Sequence, residues 1–337
     1  MKKTHRLEFI ILTAIFLIVI FCSFLLGRYS VSFSSLIKAL PELLHSGGQA
    51  FGSTDLSVVF RIRMPRIAAA VLIGAALSTA GASYQGMFRN PMVSPDILGA
   101  STGAGFGAAL GILLGFNYLG ITLTAFLFGL SAVFLAYMIS RKSQIDRILA
   151  LVLSGMMISS IFTSCTSFVK LMADPKDQLP AITYWLMGSL ASIKLADLPF
   201  AAIPIVSGLI PLFLLRWRIN LLTVSEDEAK SLGINTGRLR LIVIICATLI
   251  TAASVSVSGM IGWVGLVIPH ICRMIFGYDF RRLIPATVLL GAAFLLVVDN
   301  IARIAMTSEI PLGILTSFVG APLFVYLILT GGRDRER

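Results

Sequence analysis

The sequence predicts an all-α polytopic membrane protein with about ten transmembrane helices and with both termini in the cytoplasm. Composition is the first observation: 57% of the 337 residues are hydrophobic and 13% are charged, and the mean hydropathy is +0.93. The second is that uncharged runs of about twenty residues, the length that crosses a bilayer, recur along the chain. A soluble core does not account for this composition, so we expect a single transmembrane domain, 1–337.

The apolar runs give the number of spans. The run 97–140 is long enough for two spans and has a Gly/Asn break near 115–120. The run 241–272 gives one full span and one short, broken span that ends at Pro269. The runs that give one span each are 9–27, 67–88, 148–169, 198–215, 283–298 and 310–332. The first run lacks a small-residue cleavage site, so we expect a retained span and not a signal peptide.

The basic residues assign sides to these spans. With the N-terminus inside, 18 of the 27 Lys and Arg residues fall on the cytoplasmic side and 9 fall outside, as the positive-inside rule requires. The apolar segment 178–193 is too short for a span and would make the total odd. We therefore predict an external interfacial segment there, with a re-entrant one as the open alternative.

Several classes of function are disfavoured by what the sequence lacks. It contains no Gly-Lys dipeptide and therefore no phosphate-binding loop, and its three histidines do not form an HExxH zinc motif. The four cysteines lie in apolar runs without CxxC spacing, so we expect no disulfide, metal site or cofactor. An ion-coupled carrier needs carboxylates deep in its spans. The candidate carboxylates all fall at predicted span ends, and they are Asp96, Asp146, Asp279 and Asp299.

The longest polar island, 216–241, predicts a short exposed helix between two spans, on the cytoplasmic side. Ser225 and Glu228 have the spacing of a capping box, and the acids of this island lie in the first turn, where the helix dipole favours them. Gly233 is a candidate helix stop, and Asn235 or Thr236 can cap the next helix. Ala229 and Leu232 give the short helix an apolar edge that a partner can cover. A solvated loop is the alternative.

Four arginines lie on the predicted external side, against the positive-inside bias. Arg61, Arg63 and Arg66 precede the second span, and Arg303 follows the ninth. Arg63 and Arg66 are three residues apart and share one face of a helical turn. These residues act either as ordinary interfacial anchors or as a docking surface for an acidic partner. The basic residues are spread between apolar runs, so we expect membrane lipid and no nucleic acid as a partner.

Six stretches of the chain resemble the iron-siderophore and cobalamin type (FecCD) permeases of bacterial ABC importers. The resemblance covers nearly the whole chain, and the stretches occur in the family's order. They are RMPR (63–66), GAALSTAGASYQGMFRNPMVSPDILGAS (74–101), EAKSLGINTGRLR (228–240), SGMIGWVGLVIPHICR (258–273), LIPATVLLGA (283–292) and PLGILTSFVGAPLF (311–324).

The resemblance implies a bacterial inner-membrane permease that works by alternating access in a dimer, homomeric or heteromeric. It also implies two cytoplasmic ATPase subunits and an extracytoplasmic substrate-binding protein as partners. On this basis the island 216–241 is the segment that couples to the ATPase, Arg63, Arg66 and Arg303 dock the binding protein, and Asn90 and Met92 form the cytoplasmic gate. The implied coupling residues are Ser225, Glu226, Glu228, Ala229, Leu232, Gly233 and Asn235.

The resemblance also implies a transport subunit without its own ATPase site, and its expected substrate is a ferric siderophore. The stretch TYWLMGSLAS, 183–192, resembles a subgroup whose members carry other substrates as well. Cobalamin, haem or an oxyanion such as molybdate is therefore the open alternative. An ion-coupled secondary carrier and a membrane enzyme are the rivals of another class.

Overall fold

The computed structural model describes residues 3–29, 54–224 and 235–330, and every regular element in these ranges is a helix. A π-helical turn, Val59–Arg63, joins α2 to α3, and the 3-10 turns Pro95–Leu98 and Leu195–Asp197 precede α4 and α8. The helices are α1 (Lys3–Leu25), α2 (Thr54–Val58), α3 (Met64–Phe88), α4 (Ala100–Leu113), α5 (Tyr118–Lys142), α6 (Arg147–Met172), α7 (Gln178–Leu186), α8 (Leu198–Leu214), α9 (Arg216–Thr223), α10 (Thr236–Ser258), α11 (Val264–Phe276), α12 (Phe280–Ile304) and α13 (Leu312–Thr330).

The all-α fold is confirmed. Within the described ranges, seven helices are long and apolar enough to cross a membrane: α1, α3 with its preceding turn, α5, α6, α8, α10 and α12. The shorter apolar helices α4, α11 and α13 complete the order of the ten predicted spans. The number of crossings and the side of each terminus stay predictions.

The break expected in the run 97–140 is present. Helix α4 ends at Leu113 and α5 begins at Tyr118. Gly115 takes a φ of 69°, a left-handed conformation that glycine adopts without steric cost. Asn117 then caps α5 by accepting a hydrogen bond from the backbone N–H of Gly120 at 2.9 Å. Glycine and asparagine therefore turn the chain between two antiparallel helices.

The prediction that a short span ends at Pro269 is wrong, because α11 continues past Pro269 to Phe276. Proline has no N–H and so cannot donate to the carbonyl four residues earlier, which is that of Gly265. The side chain of Gln85 donates to this carbonyl instead, with Nε2 3.3 Å from the oxygen. Because a neighbouring helix satisfies the freed carbonyl, the proline is tolerated inside α11.

Helix α3 runs through the centre of the structure and packs antiparallel to α12. The two helices contact each other at residues without large side chains. A Cβ atom on Gly74 would overlap the carbonyl oxygen of Gly291, and the hydroxyl of Ser78 donates to the carbonyl of Thr287 at 2.8 Å. Small residues let helix backbones approach closely in lipid, where no hydrophobic effect drives the helices together.

We expect the close contact between α3 and α11 to fail when Gly81 is replaced by Ala. A Cβ atom there would overlap the carbonyl oxygen of Gly265, so the helices must separate. Such overpacking costs about 3 kcal/mol. The thermal midpoint of the detergent-purified variant should therefore fall by several degrees. Gly262→Ala is the matched control, because a Cβ atom on Gly262 meets nothing within 4 Å. Equal midpoints for the two variants would contradict this packing.

Candidate functional site

A buried group of charged side chains joins α3 to the end of α12. We call it the external charge cluster, after the side on which the sequence predicts it, and it consists of Arg63, Arg66, Asp299, Arg303 and Glu309. The Nε atom of Arg66 lies 2.8 Å from Oδ1 of Asp299, and its Nη1 lies 2.9 Å from both carboxylate oxygens of Glu309. The Nε atom of Arg303 lies 3.2 Å from Oδ2 of Asp299. Asp299 therefore pairs with two guanidiniums at once.

The cluster also holds α1 in place. Arg63 donates hydrogen bonds to the carbonyls of Phe24 and Tyr29, at and just beyond the end of α1. Arg303 donates to the side chain of Asn300, whose Nδ2 in turn donates to the Ser23 hydroxyl at 2.7 Å. Three helices, α1, α3 and α12, thus meet at this network.

The sequence predicted that Arg63, Arg66 and Arg303 lie together, and they do. Their exposed fractions are only 3%, 5% and 6%, so each guanidinium already contacts internal oxygens. Their docking role stays a prediction, and it would require Arg66 to exchange an internal carboxylate for one on a partner.

The sequence places Asp299 near the end of a span, but it does not reveal how deeply the residue is buried. This residue lies inside α12 and has no exposed surface. A buried carboxylate is tolerated only when it is paired and hydrogen-bonded. Its partner Arg66 comes from a helix more than two hundred residues earlier. The spacing of residues along one helix therefore could not predict this ion pair.

The predicted coupling segment is described only at its two ends. Asn235 caps α10 as expected, because its side chain accepts a hydrogen bond from the N–H of Arg238 at 3.0 Å. The other coupling candidates lie outside the described residues, and they are Ser225, Glu226, Glu228, Ala229, Leu232 and Gly233. The structure adds α9, a packed helix at the start of this segment that the sequence did not reveal.

Helix α9 is attached to the start of α12 through Asn220. The side-chain Nδ2 of Asn220 donates to Oδ1 of Asp279 at 2.8 Å, and its Oδ1 accepts the backbone N–H of Phe280 at 2.9 Å. Ile219 and Leu222 are buried on the same helix. Their three-residue spacing in the run RWRINLL was the one sequence signal that could have revealed a packed helix.

The other end of α9 contacts the end of α3. Arg89 has a left-handed conformation, with φ 52°, where α3 stops. Its Nε donates to the carbonyl of Leu222 at 2.9 Å. Helix α9 therefore bridges the predicted cytoplasmic ends of α3 and α12, and it forms the first part of the coupling segment 216–241.

Asp279 is held in its ionised form at this bridge. Burial opposes ionisation, but hydrogen bonds from the backbone N–H of Arg281 and from Asn220 outweigh it and lower the pKa of Asp279. The charges of Arg281 and Arg282 act in the same direction. The contact with Asn220 is thus between an amide donor and a carboxylate at neutral pH.

The predicted gate residues lie in the turn after α3. The side-chain oxygen of Asn90 accepts the backbone N–H of Met92 at 2.9 Å, and the N–H of Asn90 donates to the carbonyl of Gln85 at 3.1 Å. The Met92 side chain is 54% exposed. Both residues sit next to Arg89, and their role as a gate stays a prediction.

The segment 178–193 is bonded to the ends of two neighbouring helices. Its helix α7 buries Ile182 completely. After α7, the N–H of Ser189 donates to the carbonyl of Ser258 at 2.7 Å, and the carbonyl of Gly188 accepts from Leu312 at 2.8 Å. The segment is therefore built into the ends of α10 and α13, and its external interfacial placement stays a prediction.

Comparisons with known proteins cover nearly the whole chain. A model of the FecCD transport family matches residues 15–330. The molybdate import system permease protein MolB of Haemophilus influenzae is 39% identical over 328 residues, 96% of this chain and 96% of that protein. A "Probable iron chelatin transport system permease protein" of Helicobacter pylori is 41% identical over 271 residues, 80% of this chain and 82% of that protein. A solved, inward-facing ABC transporter structure of the metal-chelate type has a TM-score of 0.85 at 39% identity, over 94% of this chain and 97% of that one.

Proposed function

The chain belongs to the FecCD transport family and is a membrane permease of an ABC importer, and on this premise we propose that it carries ferric siderophores. The relative named for iron chelatin and the solved structure of the metal-chelate type support this substrate class. Molybdate is the second candidate, because the relative named for molybdate import matches 96% of the chain.

A binding-protein assay separates the two substrates. The substrate-binding protein that works with this permease should retain a ferric siderophore through gel filtration and should release radioactive molybdate. Cells that contain the complete transporter should then accumulate radioactive iron supplied as the siderophore complex. If the binding protein retains molybdate and the cells take it up, the substrate is the oxyanion and not the siderophore. The assignment of the chain as a permease would not change.

In the proposed mechanism, α9 transmits movement from the coupling segment to α3 and α12. The segment 225–241 contacts a separate ATPase pair, and α9 connects this segment to both α3 and α12 through Arg89 and Asn220. When the ATPase pair closes on ATP, the displaced segment moves α9 and with it the predicted cytoplasmic ends of the two helices. The same pair of helices reaches the external charge cluster at its other end. A rigid-body tilt of this pair in each permease subunit switches the open side.

The external partner is proposed to be a substrate-binding protein with an acidic surface. Arg66 is held by Asp299, which is fully buried, and by Glu309, whose side chain is 26% exposed. Glu309 is thus the internal carboxylate that an acidic partner can replace. Several guanidinium–carboxylate contacts, made in each of two subunits, would also set the orientation of the partner.

Glu309→Gln is expected to raise the affinity of the transporter for its binding protein several-fold. The substitution removes the negative charge that competes for Arg66, and the guanidinium becomes available to the partner. Biolayer interferometry with the transporter in nanodiscs measures the dissociation constant, which should rise more steeply with salt in the variant. Asp177→Asn, which neutralises an exposed acid after α6, is the control. An unchanged affinity would show that the cluster only holds helices together.

A further inference from the structure

A second charged site lies at the predicted cytoplasmic end of the molecule, in a cavity of about 400 Å³ between α3, α5, α6 and α10. Four arginines line it: Arg141, Arg147, Arg238 and Arg240. The first three are exposed and the last is partly buried. We call this the basic cavity, and neither the gate nor the docking residues belong to it.

The backbone adds to the positive potential of the basic cavity. Helices α6 and α10 both begin at it, capped by Asp146 and Asn235, and helix N-termini attract anions. The two helix starts are close together, because a Cβ atom on Gly237 would lie 3.8 Å from Nη1 of Arg147. A guanidinium of α6 therefore lies beside the first turn of α10.

The described wall of the cavity carries no carboxylate. Asp146 is adjacent in the chain, but its Oδ1 accepts the backbone N–H groups of Ile148 and Leu149, each at 3.0 Å. This carboxylate is thus oriented toward the helix that it caps. The arrangement of guanidiniums and helix starts suits an anion that brings several oxygen atoms, as a phosphate does.

Apolar side chains share the cavity with the arginines. Met87, Phe88 and Leu151 line its inner wall. Leu149 on α6 and Ile245 on α10 follow the lining residues Ile148 and Ile244 in the chain, and they are 50% and 56% exposed. An anion attached to hydrocarbon chains contacts both kinds of surface, whereas a free phosphate ion uses only the arginines.

We propose that the basic cavity binds the phosphate headgroup of an anionic phospholipid from the cytoplasmic leaflet, with the acyl chains along α6 and α10. Basic pockets between transmembrane helices on this side of a membrane are suited to such headgroups. The site holds the starts of α6 and α10 together, and α10 begins within the coupling segment.

Retention of phosphatidylglycerol by the full chain tests this proposal. The transporter is reconstituted with a mixture of phosphatidylcholine and phosphatidylglycerol, extracted in mild detergent and analysed for bound lipid by native mass spectrometry. The double variant Arg141→Gln/Arg147→Gln should retain about thirtyfold less phosphatidylglycerol than the wild type, because each of the two lost charges contributes about 1 kcal/mol near a lipid surface. Phosphatidylcholine retention should not change. Arg6→Gln/Arg282→Gln, at other helix starts on the same predicted side, should retain wild-type amounts.

Three outcomes would overturn the proposal. Displacement of the lipid by millimolar inorganic phosphate would identify a free anion as the ligand. Equal phosphatidylglycerol retention by the wild type and the cavity variant would show that the guanidiniums do not bind lipid and instead pair with carboxylates, such as those of residues 226–228. Loss of ATPase association in the cavity variant, with lipid retention intact, would identify a protein contact instead.

Discussion

Asp299→Ala is expected to destabilise the protein far more than the loss of an exposed acid such as Asp177. Asp299 is fully buried and pairs with Arg66 at 2.8 Å and with Arg303 at 3.2 Å. Removal of one partner from a buried ion pair leaves an uncompensated charge and costs about 3–5 kcal/mol. Because the cluster joins α1, α3 and α12, we expect low membrane levels and a thermal midpoint lowered by many degrees.

A second substitution distinguishes charge from packing in this cluster. Arg66 retains Glu309 when Asp299 is absent, whereas Arg303 loses the carboxylate that pairs with it at 3.2 Å. Replacing Arg303 by Met in the Asp299→Ala background removes that buried charge and should restore part of the lost stability. Asp177→Ala is the control on an exposed acid. A thermal midpoint for Asp299→Ala within a degree or two of the wild type would show that the cluster contributes little.

Asn220→Ala is expected to leave the protein folded and to reduce ATP-driven uptake about tenfold, in the range of typical coupling energies. The substitution removes two hydrogen bonds that attach α9 to α12, one of them to the Asp279 carboxylate. Displacement of the coupling segment would then move α9 without moving α12. We expect ATP hydrolysis by the complex to continue while uptake falls, which can be measured in the same proteoliposomes.

Thr223→Ala provides the matched control on α9, because it removes only a hydrogen bond to the carbonyl of Asn220 within the helix.

The lowered pKa of Asp279 predicts how the contact between α9 and α12 depends on pH. A carboxylate with a lowered pKa stabilises the folded contact above its ordinary pKa, and this contribution is lost as the pH falls through the lowered value. Asp279 therefore stays ionised near neutral pH, and its titration should not change the rate of uptake there.

Equal loss of uptake and ATP hydrolysis in Asn220→Ala would contradict the proposed role of α9.

Features with a local cause could be predicted from the sequence. The helix break at Gly115–Gly120 follows from a glycine and an asparagine at the turn, and the Asn235 cap follows from its place before an apolar run. The grouping of Arg63 and Arg66 follows from their three-residue spacing, which puts them on one face of a helical turn.

Features with a distant cause could not be predicted. The extension of α11 past Pro269 depends on Gln85, which comes from another helix and supplies the missing donor. The attachment of α9 depends on Asn220 reaching Asp279 and Phe280, about sixty residues later. The burial of the docking arginines likewise results from carbonyls and carboxylates on other segments. Side-chain periodicity along one helix contains no information about such partners.

Reconstituted transport tests the central claim most directly. The purified chain is placed in proteoliposomes with its ATPase and its binding protein, and accumulation of the radioactive ferric siderophore is followed with and without ATP. Our account predicts accumulation only when ATP and the separate ATPase are both present, and no ATP hydrolysis by the chain alone. Hydrolysis of ATP by the isolated chain, or accumulation driven by an ion gradient without the ATPase, would contradict it.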